Sequence, residues 1–360
     1  MKRLFYTFIF AITSVLSFSQ VVSFDLSDTA LSAEEVKAKT GKAVKLIYPT
    51  SMKSKIPAME CNVQVDGLGP FSVAEGKQVM FAPVNLQFNA ALGTHQCADG
   101  TTQKGTWRFA EHQWDYVGDA SNGNVYHNGT KCDNTKISET YDGWIDLFGW
   151  GTSGWNSGAV AYQPWSTSTS DSDYYPGGNE NNDFMAEYAY ADWGVYNQIG
   201  SDASNAWRTL TSDEWLYIFR DRAGAEELFG LGSVNGVNGV IILPDVWKTP
   251  DGLNFVASTS KGLMWMNNYY TIPGVDCFSH NTYTSEQWKQ METHGAVFLP
   301  AAGRRNGTYI LNAGSYGYLW SASKYDAVYS KTIYFYAGYL NPQNNYYRDN
   351  GHSVRLVADL

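Results

Sequence analysis

The chain has 360 residues, 44% of them apolar, which is enough to build a real core in one large domain or two smaller ones. Aromatic residues reach 15% beside only 17% charged, with 13 Trp, 25 Tyr and 34 Gly, a composition suited to knotted cores and to binding surfaces. A formal net charge of −10 with scattered basic residues excludes nucleic acid or an anionic membrane as the main partner.

The chain opens on Lys2 and Arg3, runs through an apolar stretch over residues 4–16, and then offers Ser17 and Ser19 before Gln20. That layout predicts a cleavable signal peptide over residues 1–19 and an exported protein of the periplasm, cell surface or extracellular space. The stretch is too short for a membrane span, and no later one replaces it. Residues 20–66 lack Trp, are rich in Asp, Glu and Lys, and read as a leader or stalk; Ser32 with Glu35 predicts a short helix over 32–39.

Beyond Gly67 the texture changes to short β-like runs and turns, and residues 67–360 read as one domain. Strands are expected at 71–73, 79–81, 85–88 and 106–109, and residues 141–190 as a long ordered loop held by its Trp residues. Thr211 with Glu214 and Thr284 with Gln287 are capping boxes, so each starts a helix. Trp215, Ile218 and Phe219 line the apolar face of the first, Trp288 and Met291 that of the second. Asn235-Gly236 predicts a turn feeding the apolar run 240–244, and 295–300 a further strand. Runs at 318–323, 332–336 and 353–357 close the chain, with Ile333 and Phe335 alternating against Thr332, Tyr334 and Tyr336.

The four cysteines, Cys61, Cys97, Cys132 and Cys277, allow three pairings. Cys97 with Cys132 is preferred because it would tie the loops flanking residues 107–119, with unpaired thiols as the alternative. The spacings match no zinc pattern, and the six histidines, His95, His112, His127, His280, His294 and His352, include no i, i+4 pair. No nucleophile elbow or phosphate loop is present. The acidic residues Asp171, Asp173, Glu180 and Asp183 fit no EF-hand and read as solvated loop. No metal or other cofactor is therefore expected.

Three motifs carry a family likeness. They are Trp207-Arg208 followed by Asp213-Glu214-Trp215-Leu216-Tyr217, then Gly314-Ser315-Tyr316-Gly317-Tyr318-Leu319-Trp320-Ser321, then Arg348-Asp349-Asn350-Gly351-His352-Ser353-Val354-Arg355-Leu356-Val357. Together they resemble the Fibrobacter succinogenes major paralogous domain family, and more distantly the sulfatase-modifying-factor group that includes formylglycine-generating oxidases. Both are similar in fold to C-type lectins. The resemblance implies an α+β, C-type-lectin-like domain of short antiparallel strands, two helices and long ordered loops. It also implies a variable surface near the C-terminus. The oxidases need two thiols late in the domain, and no cysteine follows Cys277. The calcium-dependent sugar signature of true C-type lectins is also missing, Asn341-Pro342-Gln343 being only a faint echo.

What remains is a segment dense in tyrosine, asparagine and a few charges, set between apolar anchors at Trp320, Ile333, Phe335, Val354 and Leu356. The candidate ligand-binding residues are Lys324, Tyr325, Asp326, Tyr329, Lys331, Tyr336, Tyr339, Asn344, Asn345, Tyr346, Tyr347, Asp349 and His352. Tyr supplies area at low entropy cost and Asn adapts its hydrogen bonds, the habits of a paratope. The expected function is non-catalytic recognition or adhesion toward an unidentified protein or glycan. The alternative is an oxidase or hydrolase on the sulfatase-modifying-factor-like scaffold. Some lectin-fold proteins are diversified by retroelements that mutate AAY codons, and the polar residues here fall largely in that codon set.

Overall fold

The computed structural model describes residues 69–116, 134–155 and 162–360, and the backbone of four further strands. The chain divides into two units, Met1–Gly67 and Leu68–Leu360. In the first, β1 (Phe8–Ile12) and β2 (Gln20–Phe24) pair antiparallel. The helix expected over 32–39 lies outside the described residues.

The second unit is mixed and strand-rich, an α+β arrangement. It begins with a hairpin, β3 (Phe71–Ala74) and β4 (Lys77–Phe81), followed by a longer one, β5 (Leu86–Gln96) and β6 (Thr102–Phe109). Strands β7 (Asn124–His127) and β8 (Thr130–Asp133) pair with each other. After irregular chain come α1 (Trp193–Tyr196), β9 (Arg208–Thr209) and α2 (Ser212–Leu216), then the hairpin β10 (Phe229–Val234) and β11 (Val237–Ile242). Next follow β12 (Met264–Met266), β13 (Tyr269–Thr271), β14 (Thr282–Tyr283), α3 (Ser285–Thr293) and β15 (Val297–Pro300). The chain closes with β16 (Arg304–Asn306), β17 (Tyr309–Leu311), β18 (Tyr316–Lys324), β19 (Tyr329–Tyr336), β20 (Tyr339–Tyr347) and β21 (Leu356–Asp359).

Three sheets organise the unit, in the orders β3-β4-β21-β9, β14-β10-β11-β15 and β12-β13-β20-β19-β18. The first places the last strand between β4 and β9, so the two ends of the unit share one sheet. Both capping boxes form: Thr211 and Thr284 accept from Glu214 N and Gln287 N, while the Glu214 and Gln287 side chains accept from the cap N–H groups. Trp215, Ile218 and Phe219 are fully buried in a core with Leu231, Val240, Leu319, Ile333 and Phe335. Trp288 and Met291 bury against β11 and β15. The Asn235-Gly236 turn carries φ of 49° and 79°, the left-handed pair that a two-residue hairpin needs.

A second core holds Trp107, Phe148, Trp150, Trp193 and Trp320. The loop expected at 141–190 is built this way where described, with short 3-10 turns and indoles fixing its backbone. Trp150 Nε1 donates to Ser321 O at 2.9 Å and Trp320 Nε1 to Phe148 O at 2.7 Å. Cys97 and Cys277 are buried free thiols; the side chains of Cys61 and Cys132, and with them the expected Cys97–Cys132 pairing, lie outside the described residues.

Candidate functional site

Residues 339–347, where no strand was expected, form strand β20, and its pairing decides which candidate residues share a face. Cross-strand partners point the same way: Tyr316 faces Tyr336, Tyr318 faces Tyr334, Tyr336 faces Tyr339 and Tyr334 faces Asn341. The rings are in contact, with centroids 5.2 Å apart for Tyr316–Tyr336, 4.9 Å for Tyr318–Tyr334 and 5.0 Å for Tyr336–Tyr339. Tyr269 of β13 extends the row, 4.7 Å from Tyr339, and Tyr346 joins it 5.1 Å from Tyr318. Apart from the buried Tyr318, these tyrosines are half-buried, so the row is an open aromatic face over the sheet. On edge strand β12, Met266 pairs with Tyr269 and Met264 with Thr271; both methionines are exposed and extend the same side.

Polar groups punctuate the row. Asn341 Nδ2 lies 3.4 Å from Tyr339 Oη, Asn312 Nδ2 lies 3.3 Å from Tyr318 Oη, and the Arg304 guanidinium sits 5.1 Å above the Tyr346 ring. Burial raises the phenol pKa values of Tyr334, Tyr336 and Tyr339, and pushes that of Tyr346 to about 12. The face therefore presents neutral hydroxyls, each able to donate and accept.

The thirteen expected residues do not form one surface. Tyr336, Tyr339, Asn344 and Tyr346 belong to the tyrosine row. Tyr329 and Lys331 alternate onto the side that carries Ile333 and Phe335, where Lys331 pairs with Asn345 and Tyr329 with Tyr347. There the Lys331 ammonium lies 4.5 Å from the Tyr325 ring centre and donates to Gln343 O, while Gln343 Nε2 reaches Asp213. Asp326 is spent on its own turn, accepting from Val328 N and Tyr329 N, and Lys324 N donates to Asp183.

Two residues leave the surface altogether. His352 is fully buried, its ring stacked 3.9 Å from Trp320 with Nδ1 3.2 Å from Thr332 Oγ1, and burial holds its pKa well below the usual imidazole value. Asp349 is buried beside Asn350, whose Nδ2 donates to it; burial, with this neighbouring carboxyl, pushes Asp171 up to about 6. The five expected anchors Trp320, Ile333, Phe335, Val354 and Leu356 are all fully buried.

Sequence reasoning missed Tyr269, Tyr316, Tyr334 and Asn341. The available signal was the two-residue period, which had to be carried across β18 and β20 as well as β19. It also missed what the closing motif does. Arg348 and Arg355 are fully buried and donate to carbonyls, Arg348 to Glu180 O at 2.8 Å and Arg355 to Phe298 O at 2.5 Å. Arg348 fastens the loop at Glu180, and Arg355 the strand β15, to the closing segment of the chain.

The chain matches no protein-family model, no curated protein and no solved structure.

Burial raises the Cys97 thiol and pushes Cys277 to about 11, so both stay protonated and poorly nucleophilic. His95 is buried between Gly105 O and Asn197 Oδ1, at 2.9 and 2.8 Å, with burial lowering its pKa. Glu214, the acid of the first helix motif, accepts from Arg208 Nη1 at 2.8 Å and Lys77 Nζ at 2.7 Å and holds the chain together. Among the described residues no three of His, Cys, Asp and Glu converge as a metal site.

Proposed function

We propose that this is an exported, non-catalytic recognition protein whose C-terminal sheet, on a C-type-lectin-like scaffold, binds an uncharged protein or glycan surface. The observation that carries the reading is the tyrosine row in which half-exposed Tyr269, Tyr339, Tyr336, Tyr316 and Tyr334 are joined by ring contacts and linked through the buried Tyr318 to half-exposed Tyr346. Rigid aromatic area with a polar rim is what binding hot spots use, and an aromatic face this extensive on one sheet marks an interaction site.

The test is a glycan and protein array probed with the wild type and with Tyr334→Ala/Tyr336→Ala. Binding at least about tenfold weaker in the double variant supports the assignment, since two aromatic anchors together are worth 1.4 kcal/mol or more. Unchanged binding removes the tyrosine row from the site. Export is tested by the N-terminus of the mature protein, which should begin at about Gln20 if residues 1–19 are cleaved.

A further inference from the structure

We propose that the groove between residues 137–139 and 163–173 is a second binding site, shaped for a neutral saccharide. It is an open groove of about 410 Å³, lined by Trp165 together with Ser138, Glu139, Gln163, Thr167 and Asp173. That volume falls at the lower end of the range of small-ligand sites, roughly 300–1,000 Å³. None of the tyrosine row lines it.

The wall of this groove is fixed from beneath. The fully buried Arg305 donates to Ser166 O at 2.9 Å and to Leu147 O at 3.1 Å. The fully buried Tyr174 donates its hydroxyl to Ser168 O at 2.8 Å and lies 3.0 Å from Ser166 Oγ. Ser168 Oγ in turn donates to Asp173 Oδ2 at 2.6 Å. A binding loop whose backbone and one carboxylate are held this way is preorganised, which lowers the cost of taking a ligand.

The lining chooses the ligand class. An indole offers a flat apolar platform for the C–H face of a pyranose ring. Around it stand two carboxylates, an amide and hydroxyls, a set rich in acceptors that a polyol's O–H groups can satisfy. A cation would use the carboxylates and the indole but leave Gln163, Ser138 and Thr167 idle. Among the described residues no Lys or Arg lines the groove; Lys104 nearby donates to the Glu139 backbone carbonyl at 3.4 Å. Two carboxylates without a lining cation disfavour an acidic sugar.

The experiment follows the Trp165 indole N–H by NMR in the full chain while cellotetraose, mannotetraose, xylotetraose, tetragalacturonate or agmatine is added. At least one neutral tetrasaccharide should shift the resonance saturably, and tetragalacturonate should bind at least about tenfold more weakly. Glu139→Gln, at an exposed position, should weaken the neutral sugar about tenfold by removing a charge-assisted hydrogen bond, and should narrow the gap to the acidic one. No saturable shift with any neutral sugar overturns the proposal, as does agmatine binding alone. Binding unchanged in both Glu139→Gln and Asp173→Asn overturns it too, since the sugar would then sit elsewhere.

Discussion

Glu214 shows how much one side chain can hold. Its carboxylate closes the capping box of α2 through Thr211 N at 2.9 Å, and binds Arg208 and Lys77, while Arg208 also grips Asp359 of β21 at 2.7 Å. Burial alone would raise its pKa, but the Arg208 and Lys77 bonds outweigh burial and hold it below the ordinary value of 4.5. A lowered acid contributes stability that is present above the unfolded pKa and is lost as pH falls through the folded one. Glu214→Ala leaves Arg208 short of a partner and Thr211 N–H without its acceptor, although the Thr211 cap itself remains, and should cost about 2–4 kcal/mol in urea unfolding at neutral pH. The difference from wild type should shrink as pH drops through the carboxylate range; a constant difference would show that the charge is not what matters. Gly317 makes a steric case of the same kind. Phe335, its cross-strand partner, lies over it so closely that an added Cβ would sit 1.9 Å from the ring's Cζ. Gly317→Val should cost about 1–3 kcal/mol through overpacking, read as a lowered melting temperature.

At the level of elements, the sequence was most legible where local chemistry and tertiary packing agree. Thr211-Glu214 and Thr284-Gln287 announced two helices because capping boxes are local devices, and both form. Asn235-Gly236 announced its turn because only residues tolerant of positive φ fit there. Gly236→Val should therefore cost about 1–2 kcal/mol in unfolding, with the loss confined to the β10–β11 hairpin by hydrogen exchange. Strand β20 was hidden because Asn341, Asn344 and Asn345 carry low strand propensity and Pro342 lacks an N–H. A register shift against β19 accommodates the proline, and pairing with β13 and β19 overrides propensity. The same override divided the candidate site: spacing along the chain placed Tyr346 and Tyr347 together, whereas alternation sends Tyr346 to the tyrosine row and Tyr347 to the side of Lys331. Burial of His352 and Asp349 had no local signal, since their neighbours, Trp320 of β18 and Asp171, are distant in the chain.

Across the whole second unit, the Trp-rich loops and the sheet that ends the chain meet at Asp192. One oxygen caps α1 through Gly194 N at 3.0 Å and the other accepts from Thr209 N of β9 at 2.7 Å, so a single carboxylate joins α1 of the indole core to the strand beside β21. It is buried, and burial pushes its pKa up to about 6 despite both backbone bonds. The sign is opposite to that of Glu214. A group whose folded pKa is raised contributes stability that is full below the unfolded value of 3.8 and is lost as pH rises through about 6. Asp192→Asn cannot titrate, so its stability should lack this component, and the wild-type minus variant difference should fall as pH climbs through that window. The variant also turns an NH2 toward one of the two backbone donors, leaving Gly194 or Thr209 N–H without its acceptor, which should cost about 1–3 kcal/mol at every pH. Urea unfolding across the window separates the two effects: a pH-independent offset reads the lost acceptor, and a pH-dependent difference reads the buried charge. An offset without any pH dependence would mean that Asp192 titrates at its ordinary value, and that the junction is not strained by burying it.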